Sequence, residues 1–591
     1  MSQHDTEAAR PRAAPRAALS ELTAALAHFR GAFLAVAGFS GLINILMLSG
    51  SLFMLQVYDR VLPSRSVPTL VALVLLVAIL YLFQCLLDAI RGRVLTRIGA
   101  GLDERLSERA YRIMSQLPLV RGRSGEALPQ PTKDLDQIGS FLASGGPATL
   151  FDLPWMPLYI ALCFIFHPWL GLAALTGAAI LLLLTLLTER MVRQPARQMV
   201  GIAATRNDIA QASIRNAEVL AAMGMRSNLA GRWNEVTTRH RQAQAQTSDV
   251  TGTFGAMSRG IRMMLQSLVL AIGALLVIYQ EATPGVIIAS SILTARALAP
   301  VELAIAHWKN FLSARQSWKR LNELFALFPA ADNSMQLPPP DTELSVEAVS
   351  VVPPGDRRVV VRDISFSLRA GSALGIVGPS ASGKSSLARA LVGVWPTVRG
   401  KIRLDGAPLE QWPAETLGRH VGYLPQDVEL FAGTVAQNIA RFDPAPDPAA
   451  VINAAKTAGM HEAILRLPRG YQTEIGDGGA ALSAGQRQRI GLARALYGDP
   501  FLMVLDEPNS NLDASGDHAL TQAILAVKRR GGVVVVVAHR PSALAAVDFL
   551  LLMDGGQQQA FGSRQTILRG AVQPVPSGSI PSVAAEGKVT G

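Results

Sequence analysis

Three short stretches hold side chains whose types and spacing could do chemistry. The first, "SALGIVGPSASGKSSLARAL", reads as a strand, a glycine-rich loop and a helix, and Gly378, Gly383, Lys384 and Ser385 fit G-x-x-x-x-G-K-[ST]. Such a loop, here with Pro379, Ser380, Ala381 and Ser382 between its glycines and Ser386 after it, lets backbone N–H groups close around phosphate. Lys384 then reaches the β/γ oxygens and Ser385 holds Mg²⁺. The second, "PFLMVLDEPNSNLD", is an apolar strand ending in Asp506, placed for a second Mg²⁺ contact, and Glu507, placed to polarise an attacking water. One acid ending a strand before a turn is common; this pair together with a P-loop is not. A further strand, "VVVVVAHR", delivers His539 to the same end of the sheet, where it reads as a γ-phosphate sensor rather than an ordinary structural histidine. The third stretch, "ALSAGQRQRIGLARAL", has no nucleophile, metal ligand or base. Ser483 would cap a helix whose free N–H groups and dipole suit an anion, and an ordinary capped surface helix is the plain alternative.

Something must hold these groups, and the composition says what kind of chain does so. At 591 residues it is long enough for more than one domain, with a net charge of +11, 49% hydrophobic and 17% charged residues. The Arg residues flank apolar segments, a positive-inside pattern that points to a membrane and away from nucleic acid. Cys85 and Cys163 both lie in apolar runs and imply neither a disulfide framework nor a zinc site. The polar, Pro/Ala/Arg-rich start is not a secretory signal, because the apolar stretch near Phe33 is long enough to stay in the membrane.

A spanning helix needs about 20 apolar residues. Gly31–Leu55 and Val67–Leu87 qualify, and so does the stretch from Leu153 to Thr188, which carries no Asp, Glu, Lys or Arg. As one helix that last run would be about 54 Å long against a hydrocarbon core of about 30 Å, so Pro168 in "FHPWLG" divides it into a hairpin of two spans. Ile261–Tyr279 and Val286–Ile305 bring the spans to six. Two long Arg-rich stretches between them read as helices continuing beyond the membrane, and the positive-inside rule sets them and both termini in the cytoplasm. Arg296, in the last span, is expected to face a hydrated cavity, with snorkelling toward the cytoplasmic end as the alternative. From about Glu343 the pattern changes to β-branched runs alternating with helices.

The P-loop, Asp506–Glu507 and His539 resemble the ATP-binding cassette family, and "LSAGQ" resembles its signature LSGGQ with Ala484 in place of a glycine. The resemblance implies that Ser483, Gly485 and Gln486 cap the γ-phosphate of ATP held by the P-loop of an opposing cassette. One P-loop and one signature per chain then imply a homodimer. Gln426 in "YLPQDVELF" resembles the Q-loop glutamine that contacts Mg²⁺ and the water, and Asp513 in "SNLD" the D-loop aspartate of the dimer interface. The family's adenine-stacking aromatic is missing from "VSVVPPGDRR", which leaves adenine to Val352 or Pro353.

"LQVYDRVLPSRSVPTL", "FDLPWMPLYIALCFIFHPWLG", "RNAEVLAAMGM", "ARALAPVE" and "LDEPNSNLDASG" resemble type I secretion exporters of the protease/lipase/surface-layer branch. That branch implies a bacterial inner-membrane pump in contact with membrane lipids, a periplasmic membrane fusion (adaptor) protein, an outer-membrane channel, and an unfolded cargo protein with a C-terminal signal. The roughly 30 residues before the first span leave no room in this sequence for a leader-cleaving peptidase domain. An exporter of lipid or small molecules with the same architecture is the alternative, while a non-pumping regulator would be expected to have lost Lys384, Asp506, Glu507 or His539. The expected fold is a six-span α-helical membrane domain (ABC exporter fold) plus an α/β P-loop NTPase cassette using ATP and Mg²⁺. Its parts are a disordered cytoplasmic N-terminus (1–29), the transmembrane domain (30–325), a linker (326–342), the cassette (343–568) and a disordered tail (569–591).

Overall fold

The computed structural model describes residues 20–122, 129–329, 337–538 and 540–571, and the chain separates into two compact units that divide near residue 330. The first unit is helical. Its elements are α1 (Glu21–Ala27), α2 (Arg30–Leu46), α3 (Leu48–Gln56), a π-helical turn (Val57–Val61), α4 (Val67–Arg121), α5 (Pro131–Ala143), α6 (Gly145–Asp152), α7 (Met156–Phe166), α8 (Pro168–Arg215), α9 (Arg226–Ile278) and α10 (Pro284–Leu327). Among the described residues, six helical segments are long and apolar enough to cross a membrane. The 55 residues of α4 make a rod about 82 Å long, so more than half of it lies beyond a bilayer core. The Arg-rich stretches are thus continuous extensions of the spanning helices. His167 breaks the apolar run as expected: its extended backbone (φ −164°, ψ 140°) and its Nδ1, accepting from the Trp169 N–H at 3.3 Å, start α8 at Pro168.

The N-terminal stretch expected to be disordered through residue 29 is helical from Glu21 onward. Ser20 Oγ accepts from the Thr23 N–H at 3.2 Å, and Leu22 is wholly buried, so one cap and one anchored leucine suffice to order a two-turn helix. Arg109 ties this helix down with bonds to both Glu21 carboxylate oxygens and to the Phe328 carbonyl. At the other end of the chain a last helix, Arg564–Ala571, runs past the expected boundary at 568.

Two polar knots explain motifs that apolar periodicity does not. Arg91, 8% exposed, donates to Asp152 Oδ1 and Ser40 Oγ, both at 2.9 Å, and to Asp88 at 2.6 Å. Asn44 Nδ2 joins Asp152 at 2.9 Å, and the Tyr159 hydroxyl donates to the Asn44 carbonyl at 2.8 Å. This network binds α2, α4, α6 and α7 around "FDLPWMPLYI". In "LQVYDRVLPSRSVPTL", Asp59 accepts from the Thr283 hydroxyl (2.6 Å) and the Gly285 N–H (2.8 Å), so it caps the N-terminus of α10 from a distant part of the chain. Any Cβ at Gly285 would lie 2.7 Å from that carboxylate. Arg296 is exposed on α10, on the side turned from the buried Ala297, Leu298 and Val301, with Nη1 4.0 Å from Met47 Sδ. Pro300 is accommodated inside α10 without ending it.

The second unit is built on a ten-stranded sheet of order β5-β4-β1-β2-β10-β9-β3-β8-β7-β6. The strands are β1 (Glu343–Val351), β2 (Val361–Arg369), β3 (Ala373–Val377), β4 (Thr397–Leu404), β5 (Ala407–Pro408), β6 (Val421–Leu424), β7 (Leu502–Asp506), β8 (Val533–Val537), β9 (Phe549–Asp554) and β10 (Gln557–Ser563). β9, β3, β8, β7 and β6 run parallel, and β1 is antiparallel to both β2 and β4. Successive side chains point to opposite faces of a strand, and the central strands are apolar on both. Leu502, Val504, Val533, Val535 and Val537 pack with Leu387 and Leu391 of the helix Lys384–Leu391, which follows the P-loop. Met503, Leu505, Val534 and Val536 pack with Ile490, Leu492 and Ala493 of the helix Ala484–Leu496, which carries the signature. The helix that follows the P-loop and the helix that follows Ser483 therefore lie on opposite faces of one sheet.

Replacing Arg91 with Ala would leave Asp152 and Ser40 facing a buried gap, at a cost of about 3–5 kcal/mol. Thermal unfolding of the membrane unit in lipid nanodiscs is expected to show that loss, with Arg91→Lys recovering part of it. An unchanged melting temperature would mean that the network does not hold these helices together.

Candidate active site

β3, an interior strand between β9 and β8, ends at Val377, and the chain must turn there without side chains in its way. A Cβ on Gly378 would collide with the Met553 carbonyl. Gly383 has φ +89°, and its Cβ would sit 2.7 Å from the Val360 carbonyl, so neither position tolerates a larger residue. Gly383 also starts the following helix with no side-chain cap, which leaves the first N–H groups of Lys384, Ser385 and Ser386 directed at the loop. Ala381 shares the left-handed backbone at φ +64°, an unusual state for a residue with a Cβ. Pro379, Ser380 and Ala381 are exposed and Ser382 is buried. The Val360 carbonyl comes from the β1–β2 turn, in which Val352 and Pro353 are half-buried.

Lys384 is buried, and its Nζ donates to the carbonyls of Gly378 (2.9 Å) and Pro379 (2.6 Å). Burial lowers its pKa, against the pull of Glu507 and Asp506. Asp506 is wholly buried; Oδ1 accepts from Ser385 Oγ at 3.0 Å, and Oδ2 has no partner among the described residues. Burial raises its pKa, with the Ser385 hydrogen bond opposing. Asp506 thus favours the fold while protonated and loses that contribution as pH rises through its raised value. Lys384 favours the fold while neutral and loses that contribution as pH falls through its lowered value. Where both are charged the fold bears two desolvated charges, a cost that an anion at Nζ and a cation at Oδ2 would relieve.

Glu507 follows directly, in a left-handed conformation (φ +49°) held by its N–H bond to the Val537 carbonyl at 3.0 Å. Its Oε2 accepts from Gln426 Nε2 at 3.0 Å, so the structure brings these two expected catalytic residues together at the end of β7. His539 lies outside the described residues. Asp513 is exposed and caps the helix Ala514–Arg529 through the Gly516 N–H at 2.8 Å; that hydrogen bond lowers its pKa.

The stretch around Ser483 forms the capped helix expected of it. Ser483 Oγ accepts from the Gln486 N–H (3.3 Å) and Gln486 Oε1 accepts from the Ser483 N–H (2.9 Å), a reciprocal capping box. Ser483 and Ala484 are exposed, and Gly485 lets Asn511 approach, since a Cβ there would lie 2.9 Å from the Asn511 carbonyl. Among the described residues no hydrogen bond joins Ser483–Gln486 to the P-loop of the same chain. The sequence reading missed Gln488, a buried residue five positions on, whose Nε2 donates to the Pro508 carbonyl at 2.5 Å and whose Oε1 accepts from the Asn511 N–H at 3.0 Å. No spacing rule marks it, because its partners belong to a loop about twenty residues ahead.

A strand–loop–helix turn of the P-loop type, a half-buried serine bonded to a buried aspartate and a strand-end glutamate define a nucleotide-hydrolysing cassette, here on a chain with six candidate spans among the described residues. Comparison with known proteins agrees. Residues 361–510 match the ABC transporter family and residues 33–300 the ABC transporter transmembrane region. The type I secretion system ATP-binding protein PrsD of Rhizobium meliloti is 56% identical over 567 residues, covering 96% of this chain and 97% of its own length. The cyclolysin secretion/processing ATP-binding protein CyaB of Bordetella pertussis is 29% identical, covering 88% of this chain and 73% of its own length. A solved bacterial Atm1-family ABC exporter with ATP bound shares the fold, with a TM-score of 0.76 at 24% identity, covering 92% of this chain and 97% of that one. The chain belongs to the ABC transporter family and is a membrane transporter that hydrolyses ATP.

Gly383→Ala is expected to destabilise the cassette by about 1–3 kcal/mol, because it forces a Cβ into left-handed backbone and against Val360. It should also weaken ATP binding at least about tenfold, measured by nucleotide titration. ATP affinity equal to that of the parent would show that the loop does not need this geometry.

Proposed function

We propose that this chain is an ATP-driven inner-membrane exporter of an unfolded protein within a type I secretion system, working as a homodimer. The observation that carries the reading is the cluster of Lys384, Ser385, Asp506 and Glu507 with Gln426, on a chain 56% identical over nearly its whole length to a protein named for type I secretion. CyaB and the leukotoxin translocation protein LktB of Mannheimia haemolytica, 27% identical over 92% of this chain, support protein as the cargo class. In this reading the cassette and both termini face the cytoplasm. A periplasmic adaptor and an outer-membrane channel complete the path for a cargo with a C-terminal signal.

In the proposed mechanism the backbone N–H groups of Ser380–Ser386 and Lys384 Nζ hold the phosphates of ATP. The residues present fit Mg²⁺: Ser385 Oγ and the partnerless, buried Asp506 Oδ2 are hard oxygen ligands, with Gln426 in reach of the same corner. Bound there, Mg²⁺ would neutralise charge on the β and γ oxygens. Glu507 accepts the proton of the attacking water, while Gln426, bonded to its carboxylate, keeps that carboxylate aimed. Ser483, Gly485 and Gln486 cannot cap the γ-phosphate of their own chain's P-loop, because the sheet stands between the two helices. A second copy, with its signature turned to this P-loop, supplies the missing wall, and Asp513 sits beside that seam.

The test is a comparison of secreted proteins. A strain lacking the gene is expected to lose at least one protein from its medium, restored by the parent chain but not by Glu507→Gln. That variant should bind ATP within about threefold of the parent while its turnover falls about a hundredfold or more. An unchanged set of secreted proteins with an altered envelope lipid profile would instead establish the lipid-exporter alternative.

A further inference from the structure

We propose that Gln488 is a positioning residue that couples the two nucleotide sites of the dimer, by tying a chain's signature helix to the backbone that carries the same chain's Glu507. The proposal rests on the shared-site reading above. Gln488 is 3% exposed and sits in the second turn of the helix Ala484–Leu496. Its Nε2 donates to the Pro508 carbonyl (2.5 Å) and lies within 3.4 Å of the Glu507 carbonyl and 3.3 Å of Ser510 Oγ, while its Oε1 accepts from the Asn511 N–H (3.0 Å). A single amide thus serves four groups of the segment 507–511. One turn earlier, Gly485 leaves that helix and Asn511 in direct contact, so no compliant side chain lies between them.

Glu507 has left-handed backbone. Its N–H is held by the Val537 carbonyl at the end of β8, a strand buried on both faces, and its carbonyl accepts from the Ser510 N–H within the same segment. Gln488 adds a contact from outside that segment, on a helix whose first residues, Ser483 and Ala484, are exposed. A buried amide with all its partners in one segment cannot shift without dragging that segment or breaking hydrogen bonds in a poorly solvated place. When Ser483 and the N-terminal N–H groups close on a phosphate of the partner's nucleotide, the helix carries the displacement to Glu507, which acts on the nucleotide of its own P-loop. Filling one site then sets the geometry of hydrolysis at the other.

Mixed dimers test this. In a dimer of one Lys384→Ala chain and one chain with an intact P-loop, a single site works, using the Glu507 of the intact chain. The rate per working site is expected to fall about fivefold or more below that of the parent homodimer, because the partner site is not filled. With Gln488→Met on the intact chain, that rate should equal the per-site rate of the Gln488→Met homodimer within about twofold, since the link is cut. When the silent chain instead carries Glu507→Gln, so that its P-loop still fills, Gln488→Met should lower kcat several-fold more on the intact chain than on the Glu507→Gln chain, with KM for ATP altered less than about threefold. Gln488→Glu, which keeps the Asn511 bond but turns a carboxylate on the Pro508 carbonyl, should behave like Gln488→Met, and the melting temperature of each variant checks its folding. Equal losses from both placements, or a parent dimer whose rate per site ignores the other site, would overturn the proposal. A separate pairing of Lys384→Ala with Ser483→Glu chains, altered at an exposed position, isolates the reading beneath it: hydrolysis no higher than in Lys384→Ala homodimers would mean that sites are not shared.

Discussion

The parallel strands at the centre of the cassette have two apolar faces, and each face must be covered. Leu502 and Val504 recruit the P-loop helix on one side, and Met503 and Leu505 recruit the signature helix on the other. At about 25 cal/mol per Å² of buried apolar surface, neither helix can leave its face without a large loss. The burial that makes the fold stable therefore holds the P-loop helix and the helix behind Ser483 on opposite faces of one sheet. In the homodimer proposed above, each chain would contribute one half to each of two sites.

The strand ends concentrate the backbone conformations that cost most. Gly378, Ala381 and Gly383 turn the P-loop, and Glu507 keeps φ +49° at the end of β7. Gly378 and Gly383 pass close against the Met553 and Val360 carbonyls, and the Val537 carbonyl accepts from the Glu507 N–H. The same corner buries Lys384 and Asp506, whose pKa values burial moves in opposite directions, away from their charged forms. Strain and desolvation are thus placed where a phosphate and a divalent cation would offset them.

Much of this was legible in the residues because it depends on local spacing. The P-loop glycines, the acids at the end of an apolar strand and the capping box at Ser483 each act within a few residues of themselves. The break at Pro168 follows from a missing N–H and an apolar run too long for a bilayer. What could not be read depends on distant partners. Arg91 looks like one more basic residue until Asp152, 61 positions away, lies against it, and Asp59 caps a helix 226 positions on. Helix α1 escaped because seven residues are too few to show a period, and a buried leucine under a serine cap leaves no pattern. Gln488 escaped because its role is to hold backbone, which any nearby sequence provides equally.

The central claim, that the P-loop of one chain meets the signature of another, is tested most directly by proximity. Chains in which Cys85 and Cys163 are replaced would carry Ser380→Cys with one affinity tag or Ser483→Cys with a second, both positions being exposed in the single chain. After mixing in lipid nanodiscs, mild oxidation in the presence of ATP is expected to give a disulfide-linked product bearing both tags, formed several-fold faster than without ATP. If ATP yields no product linking the two kinds of chain while each still binds nucleotide, the two halves of the site do not meet between copies and the account is wrong.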